Sequence, residues 1–126
     1  MHPQKFKILL IEDDSFLANL YIGKFSNEGF AVIRASHGEE GLTLAKKIRP
    51  RAILLDLLLP GLDGFSVLQS LKKDLATQEI PVIVLTNSGE EENINKALDL
   101  GAADYLIKVN FLPSEVVEKV RGVIAE

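Results

Sequence analysis

Five short apolar runs, each followed by a longer segment with helical spacing, constrain this chain more than any other feature. The runs are Phe6–Ile11, Ala31–Arg34, Ala52–Leu55, Val82–Leu85 and Ala103–Ile107. The first helical segment presents Leu17, Leu20, Tyr21 and Phe25 and stops at Gly29. The second presents Leu42, Ala45 and Ile48 and ends before Pro50; the third presents Phe65, Leu68, Leu71 and Leu75. The fourth presents Ile94, Ala97 and Leu98 and stops at Gly101. Pro113 opens the fifth, which presents Val116, Val117, Val120 and Ile124. Ser36 with Glu39, and Ser88 with Glu91, read as capping boxes. Such alternation predicts a parallel sheet with helices on both faces, and the uniformly apolar runs Ala52–Leu55 and Val82–Leu85 suit strands covered on both sides.

Parallel strands end on one edge of the sheet, so the residue after each run lies on that edge. The first run ends in Glu12, Asp13 and Asp14, the third in Asp56, the fourth in Thr86 and the fifth in Lys108. In an open α/β sheet this edge binds ligands where the strand order reverses. For a flavodoxin-like order 2-1-3-4-5, the reversal falls between strands 1 and 3, the two that end in acids. Singly, each residue has an ordinary reading: Asp14 as a helix cap, Lys108 as a surface lysine, Thr86 as strand filler. Asp56 resists one, because apolar runs flank it on both sides. Two desolvated carboxylates side by side call for a hard divalent cation, and Mg²⁺ takes carboxylates plus a phosphoryl oxygen. A carboxylate nucleophile with a lysine and a threonine hydroxyl suits phosphoryl transfer. His2 and His37, the only histidines, take no part.

Composition narrows the alternatives. The 126 residues read as one domain, 1–126, with no room for an output domain. With no cysteine, disulfides and thiol catalysis are excluded. A net charge of −4 argues against direct nucleic-acid binding. No apolar stretch is long enough for a membrane span or a signal peptide, so a cytoplasmic location is expected.

The chain resembles a response-regulator receiver domain of two-component signalling along its whole length. The resemblance rests on Ile11-Glu12-Asp13-Asp14, on Leu55-Asp56 through Pro60-Gly61-Leu62-Asp63-Gly64, on Val84-Leu85-Thr86, and on Gly101 through Lys108. It implies that Asp56 accepts a phosphoryl group from a phosphohistidine on a sensor histidine kinase or phosphotransfer protein. It also implies Mg²⁺ ligation by Asp13, by Asp56, by the backbone carbonyl of Leu58, and by Glu12 through water. Lys108 pairs with Asp56 and then with the phosphoryl group; Thr86 bonds another phosphoryl oxygen; Tyr105 follows Thr86. The fourth helix, fifth strand and fifth helix form the face that a protein target or a second copy of the chain reads. Two positions depart from the family pattern. Val109 replaces the usual proline after Lys108, so a trans Lys108–Val109 peptide is expected. Asn87 replaces a very small residue and is expected to narrow access to Asp56.

Three other readings compete. An aspartate-nucleophile phosphohydrolase wants a second carboxylate at position 58, which is Leu. A flavin or nucleotide module needs a Gly/Thr-rich phosphate loop where Glu12-Asp13-Asp14 stands. A degenerate receiver would serve only as a docking module.

Overall fold

The computed structural model describes residues 6–124; His2 lies outside them. The strands are β1 (Phe6–Ile11), β2 (Phe30–Ala35), β3 (Ala52–Leu55), β4 (Val82–Thr86) and β5 (Asp104–Ile107). The helices are α1 (Ser15–Asn27), α2 (Gly38–Ile48), α3 (Gly64–Lys73), α4 (Glu91–Asp99) and α5 (Pro113–Ile124), with one 3₁₀ turn at Lys108–Asn110. All strand pairs are parallel, in the order β2-β1-β3-β4-β5. This is a flavodoxin-like doubly wound sheet: the alternation predicts its parallel strands and two helical layers, and the order is the one expected for that fold.

Period-two alternation splits the core into two layers. On β1, Ile8 and Leu10 pack with Ala18, Tyr21 and Phe25 of α1 and with the valines of α5. Leu9 and Ile11 face the other way, toward Ala45 of α2, Val67, Leu68 and Leu71 of α3, and Ala97 of α4. Right-handed crossovers require this division, because the chain runs outward from β1 to β2 and then back across it to β3. Central strands β3 and β4 are buried at every residue, and each large side chain there contributes about 1.5–3 kcal/mol of burial.

Local details correct several expectations. The cap of α2 is His37, whose Nδ1 accepts the Glu40 N–H at 3.3 Å, while the Glu40 carboxylate takes the Ser36 N–H at 2.8 Å. Glu40 rather than Glu39 thus reaches back to Ser36, and His37 rather than Ser36 caps the helix. Helix α4 has no side-chain cap. Ser88 lies too far upstream, and its hydroxyl accepts from the Asn93 amide at 2.7 Å. Leu75 is outside α3 and 84% exposed, since Asp74 draws the Ala76 N–H to its carboxylate and turns the chain. Leu20 and Leu98 are also exposed, at the margins of their helices' buried faces. Gly29 and Gly101 end α1 and α4 with φ of 93° and 106°, conformations that favour glycine.

Candidate functional site

The sheet positions the site through main-chain pairing that continues one residue beyond the strands. The Glu12 N–H donates to the Ala35 carbonyl at 3.0 Å, and the Asp56 N–H to the Ile11 carbonyl at 3.1 Å. Glu12 and Asp56 are thus held as rigidly as strand residues although both follow strand ends. Helix α3 closes the site from below. Its N-terminal cap is Asp63, which accepts the Ser66 N–H at 3.0 Å. The next residue, Gly64, donates to the Leu57 carbonyl at 3.1 Å. A Cβ on Gly64 would lie 2.6 Å from the Asp56 carbonyl oxygen, so only glycine lets the helix start this close to β3.

Lys108 crosses from the end of β5 to the acids. Its Nζ donates to Asp56 Oδ2 at 2.9 Å and to Glu12 Oε1 at 2.6 Å. The Lys108–Val109 peptide is trans, as expected, and the lysine reaches the site through the 3₁₀ turn. All three side chains are almost fully buried. Burial alone would lower the lysine's affinity for its proton, but the two bonds and two negative charges outweigh it and hold Lys108 above its ordinary pKa. Burial raises Glu12 above its ordinary value, only partly offset by Lys108 and by the Asp14 N–H at 3.1 Å. Asp56 Oδ1 accepts the Leu58 N–H at 3.0 Å.

Carboxylate oxygens of Glu12, Asp13 and Asp56 lie within 4.8 Å of one another. Ionised, three carboxylates against one ammonium leave two negative charges, the charge of one divalent cation. All the donors are hard oxygens, which suits Mg²⁺. Asp13 is the exposed member. Asp14 is the cap of α1, accepting the Leu17 N–H at 3.0 Å, and takes no part in the cluster.

Thr86 is fully buried, and its hydroxyl has no hydrogen-bond partner among the described residues. A buried hydroxyl left unpaired costs about 1–3 kcal/mol. Val84 opposes Tyr105 in the β4–β5 register, and Thr86 follows Val84 by two residues, so Thr86 and Tyr105 share one face of the sheet. Tyr105 is half-buried and donates its hydroxyl to the Ser88 carbonyl at 2.6 Å. The Leu58 side chain is exposed, and its N–H is the one bonded to Asp56 Oδ1. Asn87 follows Thr86 at the end of β4. It lies on the wall of a 220 Å³ recess with Leu17, Leu20, Tyr21, Lys108 and Val109. Sequence reasoning missed the Glu12–Lys108 bond and the role of Ser88, because both depend on where long side chains end across the common strand-end edge.

The family model for the response regulator receiver domain matches residues 8–121. The chain belongs to the response-regulator receiver family. A probable transcriptional regulator, ycf27, of Porphyridium aerugineum is 37% identical over 121 residues, covering 96% of this chain and 49% of that protein. The receiver thus spans about half the length of the curated relatives it matches. A putative response regulator of Chloroflexus aurantiacus superposes with a TM-score of 0.90 at 32% identity, covering 98% of this chain and all of the other. The receiver domain of the sensor histidine kinase PA1611 of Pseudomonas aeruginosa, which holds magnesium in its active-site cleft, superposes at 0.88 with 27% identity, covering 98% of this chain and 100% of that one. The acidic pocket of Glu12, Asp13 and Asp56 fits a receiver phosphorylation site, and proteins of this family act in signalling. Among the described residues, no helix of the receiver is long and apolar enough to cross a membrane.

Proposed function

We propose that the receiver is a phosphoryl-accepting switch in which Asp56 takes the group from a phosphohistidine of a sensor kinase or phosphotransfer protein. The observation that supports this best is one buried lysine bonded to both Asp56 and Glu12 beside an exposed Asp13. An Asp56 carboxylate oxygen attacks phosphorus, the P–N bond breaks, and its electron pair returns to the imidazole of the donor. Asp13, Asp56, the Leu58 carbonyl and, through water, Glu12 would hold Mg²⁺, which would supply positive charge for the phosphoryl oxygens. Lys108 orients Asp56 before transfer and then turns to a phosphoryl oxygen. The rim around Lys108 carries Leu20 and the 80% exposed Val109, an apolar surface continuous with the site that suits the donor protein.

The unpaired Thr86 hydroxyl supports a switch at the same site. A phosphoryl oxygen on Asp56 offers it a charge-assisted bond, worth roughly 1.5–3 kcal/mol. Tyr105 must give up its neutral bond to Ser88 to follow, which costs about 0.5–1.5 kcal/mol. The balance favours the move and changes the face made by α4, β5 and α5, where a target protein or a second receiver binds. Amide shift mapping with beryllofluoride and Mg²⁺ tests this. Shifts should extend to residues 94–98, 105 and 116–120. Shifts confined to the strand-end loops would contradict the switch.

A further inference from the structure

Arg34 is a charged residue on a face of β2 that otherwise builds core. Phe30 and Val32 of β2 pack against the α1–α5 layer, and alternation puts half-buried Arg34 on that side. Its guanidinium bonds to main chain rather than to a carboxylate. Nε donates to the Glu12 carbonyl and Nη2 to the Asp13 carbonyl, each at 3.0 Å. These carbonyls belong to successive peptide units joining the end of β1 to Asp14, the cap of α1. Since the Glu12 N–H already pairs with Ala35, β2 holds Glu12 at both its amide and its carbonyl.

We infer that Arg34 is a positioning residue for the divalent-cation site, fixing the two peptide units from which the Glu12 and Asp13 carboxylates project. The inference rests on the cation-dependent reading proposed above. A guanidinium presents two N–H groups in a fixed plane and can satisfy two carbonyls one residue apart; an ammonium is a point donor and cannot hold both in that plane. Without the clamp, the cation itself would have to order the acidic loop, and affinity would fall. Charge alone acts in the opposite direction, because a cation near the acids weakens the attraction for a second one. A third role, a charge that merely guards an edge strand, predicts no change in affinity.

The test is calorimetric Mg²⁺ titration of the wild type, Arg34→Lys and Arg34→Met, with amide spectra and thermal melting of each in chelator. Both variants should bind Mg²⁺ about ten-fold more weakly, the loss expected when an outer partner of a metal ligand is removed. The metal-free amide resonances of residues 12–14 should move in both. Tighter binding by Arg34→Met with Arg34→Lys unchanged would overturn the clamp in favour of charge. Wild-type affinity in both would overturn it in favour of edge protection. If the Met variant does not fold, the Lys variant, which keeps the charge, decides alone. If the wild type takes no Mg²⁺, the cation-dependent reading fails, and unmoved resonances of residues 12–14 would separately remove the clamp.

Discussion

The ammonium of Lys108 lies 2.9 Å from the carboxylate of Asp56, although β4 separates the strands that carry them. The same ammonium holds Glu12 at 2.6 Å. One cation therefore neutralises two buried acids drawn from opposite sides of the topological reversal, and the stability of the metal-free receiver depends on it.

Replacing Lys108 by Met leaves both acids buried without a partner. Breaking a buried pair this way costs on the order of 3 kcal/mol. The variant should melt well below the wild type in chelator and regain part of the loss in Mg²⁺, which binds only the folded site. Asp13→Asn removes one acid and should raise the metal-free melting temperature by a few degrees at most, corresponding to no more than about 1 kcal/mol because Asp13 is exposed. Calorimetric scans in chelator check both signs; a stabilised Lys108→Met or a destabilised Asp13→Asn contradicts the geometry.

Glu12 sets a pH dependence of known sign. Burial raises its folded pKa above the unfolded value of 4.5, so over that window the folded form binds more protons than the unfolded form. Its contribution therefore falls as pH rises from 4.5 through the raised value and is constant above it. Glu12→Gln removes this loss. Over the same window its metal-free stability, from urea unfolding, should rise more steeply with pH than that of the wild type, or fall less. A shallower rise would show that Lys108 outweighs burial at Glu12.

Thr86→Val replaces an unpaired buried hydroxyl with a methyl group of similar size. Metal-free stability should increase by about 1 kcal/mol, while the response of Tyr105 to beryllofluoride disappears. Urea unfolding and the Tyr105 amide resonance report the two effects. A destabilised variant with an intact Tyr105 response would place the hydroxyl outside the switch.

Gly64→Ala tests the seat of Asp56. The added Cβ meets the Asp56 main chain at 2.6 Å, where backbone must shift. A loss of about 2 kcal/mol is expected, together with displaced Asp56 and Leu57 amide resonances. Unchanged stability would mean that β3 and α3 are not in contact there.

The parallel sheet and the rim residues were legible because each follows from period and topology, whereas the strand order had to be assumed as flavodoxin-like. Apolar runs mark strands, and whatever follows a run must lie on the common edge, which brings Glu12, Asp13, Asp56, Thr86 and Lys108 together. Helix starts were less legible. His37 competes with Ser36 as a cap, and a shift of one residue leaves the downstream pattern intact. Contacts made by the tips of long side chains were not legible at all. Arg34 stands in the sequence only as the end of an apolar run, yet its guanidinium reaches two carbonyls on the neighbouring strand's loop. Tyr105 reads as a strand aromatic, and only the fold brings the Ser88 carbonyl to its hydroxyl.

The measurement closest to the central claim is intact mass after treatment with acetyl phosphate. In Mg²⁺ the wild-type receiver should gain one phosphoryl group, and in chelator none. Asp56→Asn should gain none under either condition, while Asp63→Asn, which alters an acid that only caps α3, should behave as the wild type. Equal modification of Asp56→Asn and the wild type would contradict the assignment of Asp56 as the acceptor.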